Sequence, residues 1–195
     1  MSKASKKTGA SLGTVVPADP GRRRFILGGA AATLASMASP AFAAINRKQF
    51  RTLALDNLHT GEKLKVDYWV NGSYVKGALR RVNYNLRDFR TGAVYPIDPQ
   101  LLDLLHALQS MLGTRAAFQV ISGYRSPETN AMLREESNGV AANSLHMQGM
   151  AIDVRLPGRS LRSLHAAAVR LERGGVGYYP RSDFVHLDVG RVRYW

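Results

Sequence analysis

Two short segments, Ala151 to Leu156 and Phe184 to Val189, repeat their apolar positions with a period of two, which commits both to β-strands. In the first, Ile152, Val154 and Leu156 share one face, while Ala151, Asp153 and Arg155 share the other. In the second, Val185, Leu187 and Val189 oppose Phe184, His186 and Asp188. Each strand thus offers an aliphatic face to a core and ionisable side chains to the opposite side. Helical periodicity appears elsewhere. Leu101, Leu104, Leu105, Leu108 and Leu112 line one stripe of a helix from Pro99 to Leu112, opened by Asp98-Pro99, with Asp103, His106 and Gln109 on the other side. Leu161, Leu164, Ala168 and Leu171 mark another, expected to stop at Gly174-Gly175. Phe118 to Ile121 reads as a short buried strand and Pro127 to Glu136 as a helix. Lys63 to Val70, Asn71-Gly72 and Ser73 to Lys76 read as a hairpin on a type I′ turn. The expected class is α+β. A chain of 195 residues, 45% hydrophobic and without repeats, has material for one core.

Residues 1–43 read as an address outside that core. Arg22-Arg23-Arg24 precedes a Gly- and Ala-rich apolar run, and Ala41-Phe42-Ala43 offers a small-x-small cleavage pattern. The arrangement resembles a twin-arginine export signal, with the mature domain starting at Ala44 and spanning 44–195. Ile26 to Phe42 is interrupted by Pro40 and falls short of the ~20 apolar residues a membrane span needs. The expectation is a signal that is cleaved, no stable membrane insertion afterwards, and a soluble periplasmic domain. Of 27 cations and 14 acids, six and one lie in residues 1–43, so the net +13 becomes 21 against 13, or +8, for the remainder. That excess suits an anionic wall polymer, and export argues against a nucleic-acid partner.

The chain has no cysteine, so disulfides, thiolate metal sites and a cysteine nucleophile are excluded, and any metal must use histidine and carboxylate. Of five histidines, His59, His106 and His165 sit in settings that need no partner. His146 enters a Gly-containing turn seven residues before Asp153, and His186 lies on the polar face of the last strand. Two imidazoles and a carboxylate leave a fourth tetrahedral position open for water, as catalytic zinc sites do. By spacing alone, a turn-capping His146 with Asp153 and His186 paired to arginines fits equally well.

Ser144-x-His146-x-x-Gly149-x-Ala151-x-Asp153, followed by Gly175-Val176-Gly177-Tyr178-Tyr179-Pro180-Arg181-Ser182-x-Phe184-Val185-His186-x-Asp188, closely resembles the zinc D-Ala-D-Ala metallopeptidases, above all their single-domain murein endopeptidase branch. The likeness covers about Phe118 to Trp195. It implies a hedgehog/DD-peptidase-like α+β fold, a small antiparallel sheet with flanking helices. It implies one zinc ion on His146, Asp153 and His186, with Arg125 of Ser122-Gly123-Tyr124-Arg125 clamping the substrate carbonyl or carboxylate and Ser144 also at the substrate. Asp183, three residues before the last histidine, would be the general base. Asp188 would orient an imidazole or be the alternative base. The implied activity is zinc-dependent hydrolysis of a D-alanyl cross-link in peptidoglycan stem peptides by a monomer. A D,D-carboxypeptidase and a non-catalytic zinc-containing wall-binding module are the alternatives.

Overall fold

The computed structural model describes residues 49–136 and 139–195; the expected export signal and its cleavage point lie outside them. The elements in chain order are β1 (Phe50–Asn57), β2 (Lys63–Val70), β3 (Ser73–Tyr74), α1 (Lys76–Asn85), α2 (Pro99–Met111), β4 (Phe118–Ser122), α3 (Pro127–Glu136), a 3₁₀ turn (Leu145–Gln148), β5 (Ala151–Arg155), α4 (Leu161–Leu171), β6 (Gly175–Tyr179), β7 (Phe184–Asp188) and β8 (Arg193–Tyr194). All eight strands join one open sheet in the order β3-β2-β1-β4-β5-β7-β6-β8.

The α+β class stands, but this sheet is neither small nor wholly antiparallel. β1 runs parallel to β4, and β6 parallel to β8. The local reasons for the elements are mostly those read from sequence. Asp98 caps α2 by accepting from the Gln100 amide at 2.8 Å, with Pro99 at the first helical position. Leu101, Leu102, Leu105 and Leu108 are wholly buried, each contributing about 1.5–3 kcal/mol relative to exposure. Ser160 caps α4, its hydroxyl accepting from the Ser163 amide at 3.1 Å. That helix stops at Glu172, itself left-handed at φ 50°, two residues before the expected glycine stop; Gly175 opens β6 instead.

The hairpin is also shorter than expected. Only Ser73 and Tyr74 pair back onto Val70 and Trp69, because α1 begins at Lys76. The polar side of α2 is not a solvated face. Asp103 accepts from Arg51 at 2.6 Å, Tyr68 at 2.8 Å and Tyr74 at 2.7 Å, and buried Gln109 donates to the Ala116 carbonyl at 2.8 Å. α2 is thereby tied to β1, β2 and β3 by polar contacts and to the core by its leucines. Ile152, Val154, Leu156, Val185 and Leu187 enter that core as their alternation requires. No helix of the described residues is long and apolar enough to cross a membrane.

Candidate active site

β5 and β7 are antiparallel neighbours in a register that sets Asp153 directly opposite His186. Side chains so paired share a face, and His186 Nδ1 lies 2.9 Å from Asp153 Oδ1. His146 arrives from the 3₁₀ turn that feeds β5. Ser144 opens this turn by accepting from the His146 amide at 3.3 Å. Gly149 closes it at φ 65°, where a Cβ would collide with the Pro96 carbonyl. The turn delivers His146 Nε2 to 3.3 Å from Asp153 Oδ1 and 3.2 Å from His186 Nδ1.

The tautomers follow from the outer contacts. His146 Nδ1 lies 2.7 Å from the Gly123 carbonyl, an atom that can only accept, so Nδ1 carries the proton and Nε2 an open lone pair. His186 Nε2 lies 3.0 Å from Asp188 Oδ2, which likewise takes an N–H and frees Nδ1. Two nitrogen lone pairs and a carboxylate oxygen therefore converge within 4.8 Å of one another, an arrangement that repels itself unless a cation lies among them. The donor set, two imidazoles and one oxygen, is one that suits zinc. Without a metal, a proton must serve. Burial disfavours the His186 imidazolium, yet hydrogen bonds to Asp153 and Asp188 raise its pKa to about 9. Burial alone would raise the Asp153 pKa, but the two imidazoles hold it far below the usual carboxylate range.

Arg125 reaches the same place from the exit of β4. Its backbone amide donates to the His146 carbonyl at 3.2 Å, its Nη2 stands 3.9 Å from Asp153 Oδ2, and its Nη1 donates to Asn130 at 3.3 Å. Burial pulls the guanidinium below its ordinary pKa, with Asp153 opposing. The loop is fixed from behind. The Tyr124 amide donates to the Leu86 carbonyl at 2.8 Å, and buried Asp88 accepts from the Ser126 amide at 2.8 Å.

Asp188 is fully buried and accepts five hydrogen bonds, from His186, the Gly175 and Gly190 amides, and both terminal nitrogens of Arg193. Burial opposes its ionisation, but these donors, His186 foremost, keep its pKa far down. Asp183 is placed differently. It sits at φ 53° before β7, which breaks strand alternation, and its Oδ2 accepts from Arg155 Nη1 at 2.7 Å. Arg155 shares the Asp153 face of β5, so the pair draws the Asp183 carboxylate to the side of the sheet that carries the histidines. Its side chain remains 62% exposed and is not among the residues that line the cleft, whose wall there is made by its neighbours Ser182 and Phe184.

The cleft itself, about 480 Å³, is lined by His146, Asp153, His186, Arg125 and Ser144, together with Tyr179 and Trp195. A larger cavity of about 730 Å³ lies between Thr52, Lys65 and the end of α2, but no converging ligand set lines it, and chemistry decides between them. His59, His106 and His165 instead pack against the rings of Phe89, Tyr68 and Tyr178. Sequence reasoning missed Asn130, Asp88, Arg193 and Trp195, and gave no role to Tyr179 although it stands in the motif from Gly175 to Asp188. Asn130 sits one turn into the helix after Arg125, the one positional hint available; Asp88, Arg193 and Trp195 come from distant segments with no local pattern.

A family model described as peptidoglycan L,D-endopeptidase MepK (Peptidase_M15_2) matches residues 45–195. The chain is similar to the peptidoglycan L,D-endopeptidase MepK of Escherichia coli strain K12, 45% identical over 178 residues, which span 91% of this chain and 98% of the relative. The similarly named protein of Shigella flexneri matches to the same extent. The probable peptidoglycan L,D-endopeptidase MepK of Haemophilus influenzae is 40% identical over 179 residues, 91% of this chain and 96% of the relative.

Proposed function

The chain belongs to the Peptidase_M15_2 family, and from that membership we propose that it hydrolyses peptide cross-links in peptidoglycan with one zinc ion held by His146, Asp153 and His186. The observation that carries this reading is the convergence of three lone-pair atoms, two of them on imidazoles whose outer protons are already committed to Gly123 and Asp188.

A bound zinc ion supplies Lewis-acid activation of water and of the scissile carbonyl. The residues of the chain do the rest. Arg125, next to Asp153 in the cleft, donates to the oxygen that gains negative charge as the amide is attacked. Asp183 accepts the proton of the attacking water and returns it to the leaving amine; its place three residues before His186, as in the family the sequence resembles, supports this role, and Arg155 holds its carboxylate. Asp188, saturated with donors, has no capacity for proton transfer and holds the His186 ring in orientation. Ser144 shapes the floor by fixing the His146 turn and faces substrate.

The relatives' names set the scissile bond after an L-centre, whereas the D-alanyl bond expected from sequence follows a D-centre. We place the enzyme in the periplasm as a monomer, exported through the Arg22-Arg23-Arg24 signal; the family match starting at residue 45, next to the expected cleavage point, supports that boundary. Incubating zinc-loaded protein with purified muropeptide dimers of each linkage tests the reading. Monomers in the absence of chelator, and none in its presence, are expected. Release of free D-alanine alone would make it a carboxypeptidase, and intact dimers under all conditions would leave a binding module.

A further inference from the structure

Arg125 and Trp195 stand on opposite flanks of the cleft. In the sheet order β4-β5-β7-β6-β8, the Asp153 and His186 strands occupy the middle, Arg125 follows β4, and Trp195 follows β8. Trp195 is locked there. Its amide donates to the Val176 carbonyl at 3.2 Å, and its carbonyl accepts from the Tyr178 amide at 2.9 Å. Its indole Nε1 donates to the Tyr179 hydroxyl at 2.7 Å, the Tyr179 ring stacks on Phe184 at 4.6 Å, and the Arg193 guanidinium lies 5.0 Å from the indole centroid. The indole is 5.3 Å from the His186 ring. Gly177 pairs across the sheet with His186, and a Cβ at 177 would come within 2.7 Å of the indole, so the missing side chain is what admits it.

Trp195, anchored on so many sides, is nevertheless 49% exposed as a residue and lines the cleft. A rigid, half-exposed aromatic beside a reaction centre offers contact area with little ordering cost. Arg193, the arginine beside the indole, is committed to buried Asp188, so the surface offered to a ligand there is the apolar ring face. We infer that Trp195, braced by Tyr179, forms an apolar subsite that takes the aliphatic arm through which a cross-link joins two stem peptides. This rests on the reading of the chain as a cross-link hydrolase, and it makes Trp195 a determinant of preference for cross-linked over free chain ends.

Two measurements test it. In zinc-loaded Trp195→Ala, KM for a sugar-free cross-linked dimer rises about tenfold while kcat and zinc content hold, and Trp195→Phe recovers most of the loss. Unchanged KM overturns the subsite; loss of zinc in Trp195→Ala with no KM change in Trp195→Phe assigns the indole to support of His186 instead. The chain has two tryptophans, so in Trp69→Phe the emission reports Trp195 alone. A saturable change on adding sugar-free cross-linked dimer, weaker with uncross-linked stem peptide, is expected even if the parent hydrolyses nothing, which separates failure of the subsite from failure of the proposed activity; an equal response to both overturns the preference. Silence towards sugar-free peptide, with a response only to glycan-bearing muropeptide, would put a sugar on the indole and overturn the inference.

Discussion

What each side chain of the cleft can do is decided by where its protons reside. His186 presents Nδ1 to the ligand triangle because Asp188 takes its Nε2 proton, and Asp188 stays ionised because Arg193 and two amides also donate to it. Replacing Asp188 with Ala leaves that imidazole free to rotate and change tautomer, and zinc affinity is expected to fall about 10–100-fold, as read by competition with a chromogenic chelator. Affinity equal to the parent would show that the ring needs no such partner. Asp183→Ala is expected to do the reverse, retaining zinc while lowering turnover about 10²–10⁴-fold; parent-like turnover would take the proton-transfer role away from it. Strand alternation and a glycine turn singled out His146, Asp153 and His186 but left metal binding and arginine pairing equally open; only the resemblance to the zinc metallopeptidases joined them into one expected site, and the three do converge. The orientation of Asp183 was not legible, because φ 53° at that position overrides the parity by which side chains on a strand are read.

At the element scale, the 3₁₀ turn is the most vulnerable part of the site. Gly149 combines a left-handed backbone with contact against the Pro96 carbonyl. Gly149→Ala must displace either the turn or the loop before α2, at a cost of at least about 1–3 kcal/mol. Far from the cleft, Asp103 joins α2 to three strands. Asp103→Ala would strand the buried Tyr68 hydroxyl, lowering stability at neutral pH by about 1–3 kcal/mol without changing zinc stoichiometry.

The pH dependence has a definite sign. Burial opposes ionisation of Asp103, but Tyr74, Tyr68 and Arg51 outweigh it and lower its pKa below 3.8. Its contribution is therefore present above pH 3.8 and lost as pH falls through the depressed value. Burial first, then Asp103, raises the Tyr74 pKa to about 12, so that contribution is held below pH 10 and lost as pH climbs through about 12. Urea midpoints should drop at both extremes in the parent and flatten at the acid end in Asp103→Asn; an acid limb of the same depth in the variant would disprove the assignment. Elements with strong periodicity or caps were readable. α1 was not, as Val75 supplies no side-chain cap; β6 was hidden by its glycines, and β8 has only two residues. β1 did carry an alternation, with Leu53, Leu55 and Asn57 inward, that passed unread.

At the scale of the whole molecule, one sheet brings together groups separated by up to 40 residues between His146 and His186 and flanks them with cation on one side and indole on the other. The long-range consequences, the parallel β1-β4 pairing and the Trp195 wall, lie beyond local pattern, since each depends on which strands become neighbours. The site is braced by its own hydrogen bonds, so chelation is expected to abolish hydrolysis and leave far-ultraviolet circular dichroism unchanged; unfolding on chelation would make the ion structural. The most direct test of the central claim is the zinc-to-chain ratio after loading and gel filtration, in the parent and in His146→Ala. About one ion per chain is expected in the parent and close to none in the variant; a parent that keeps no zinc, or a variant that keeps as much, would rule out a zinc site on His146, Asp153 and His186.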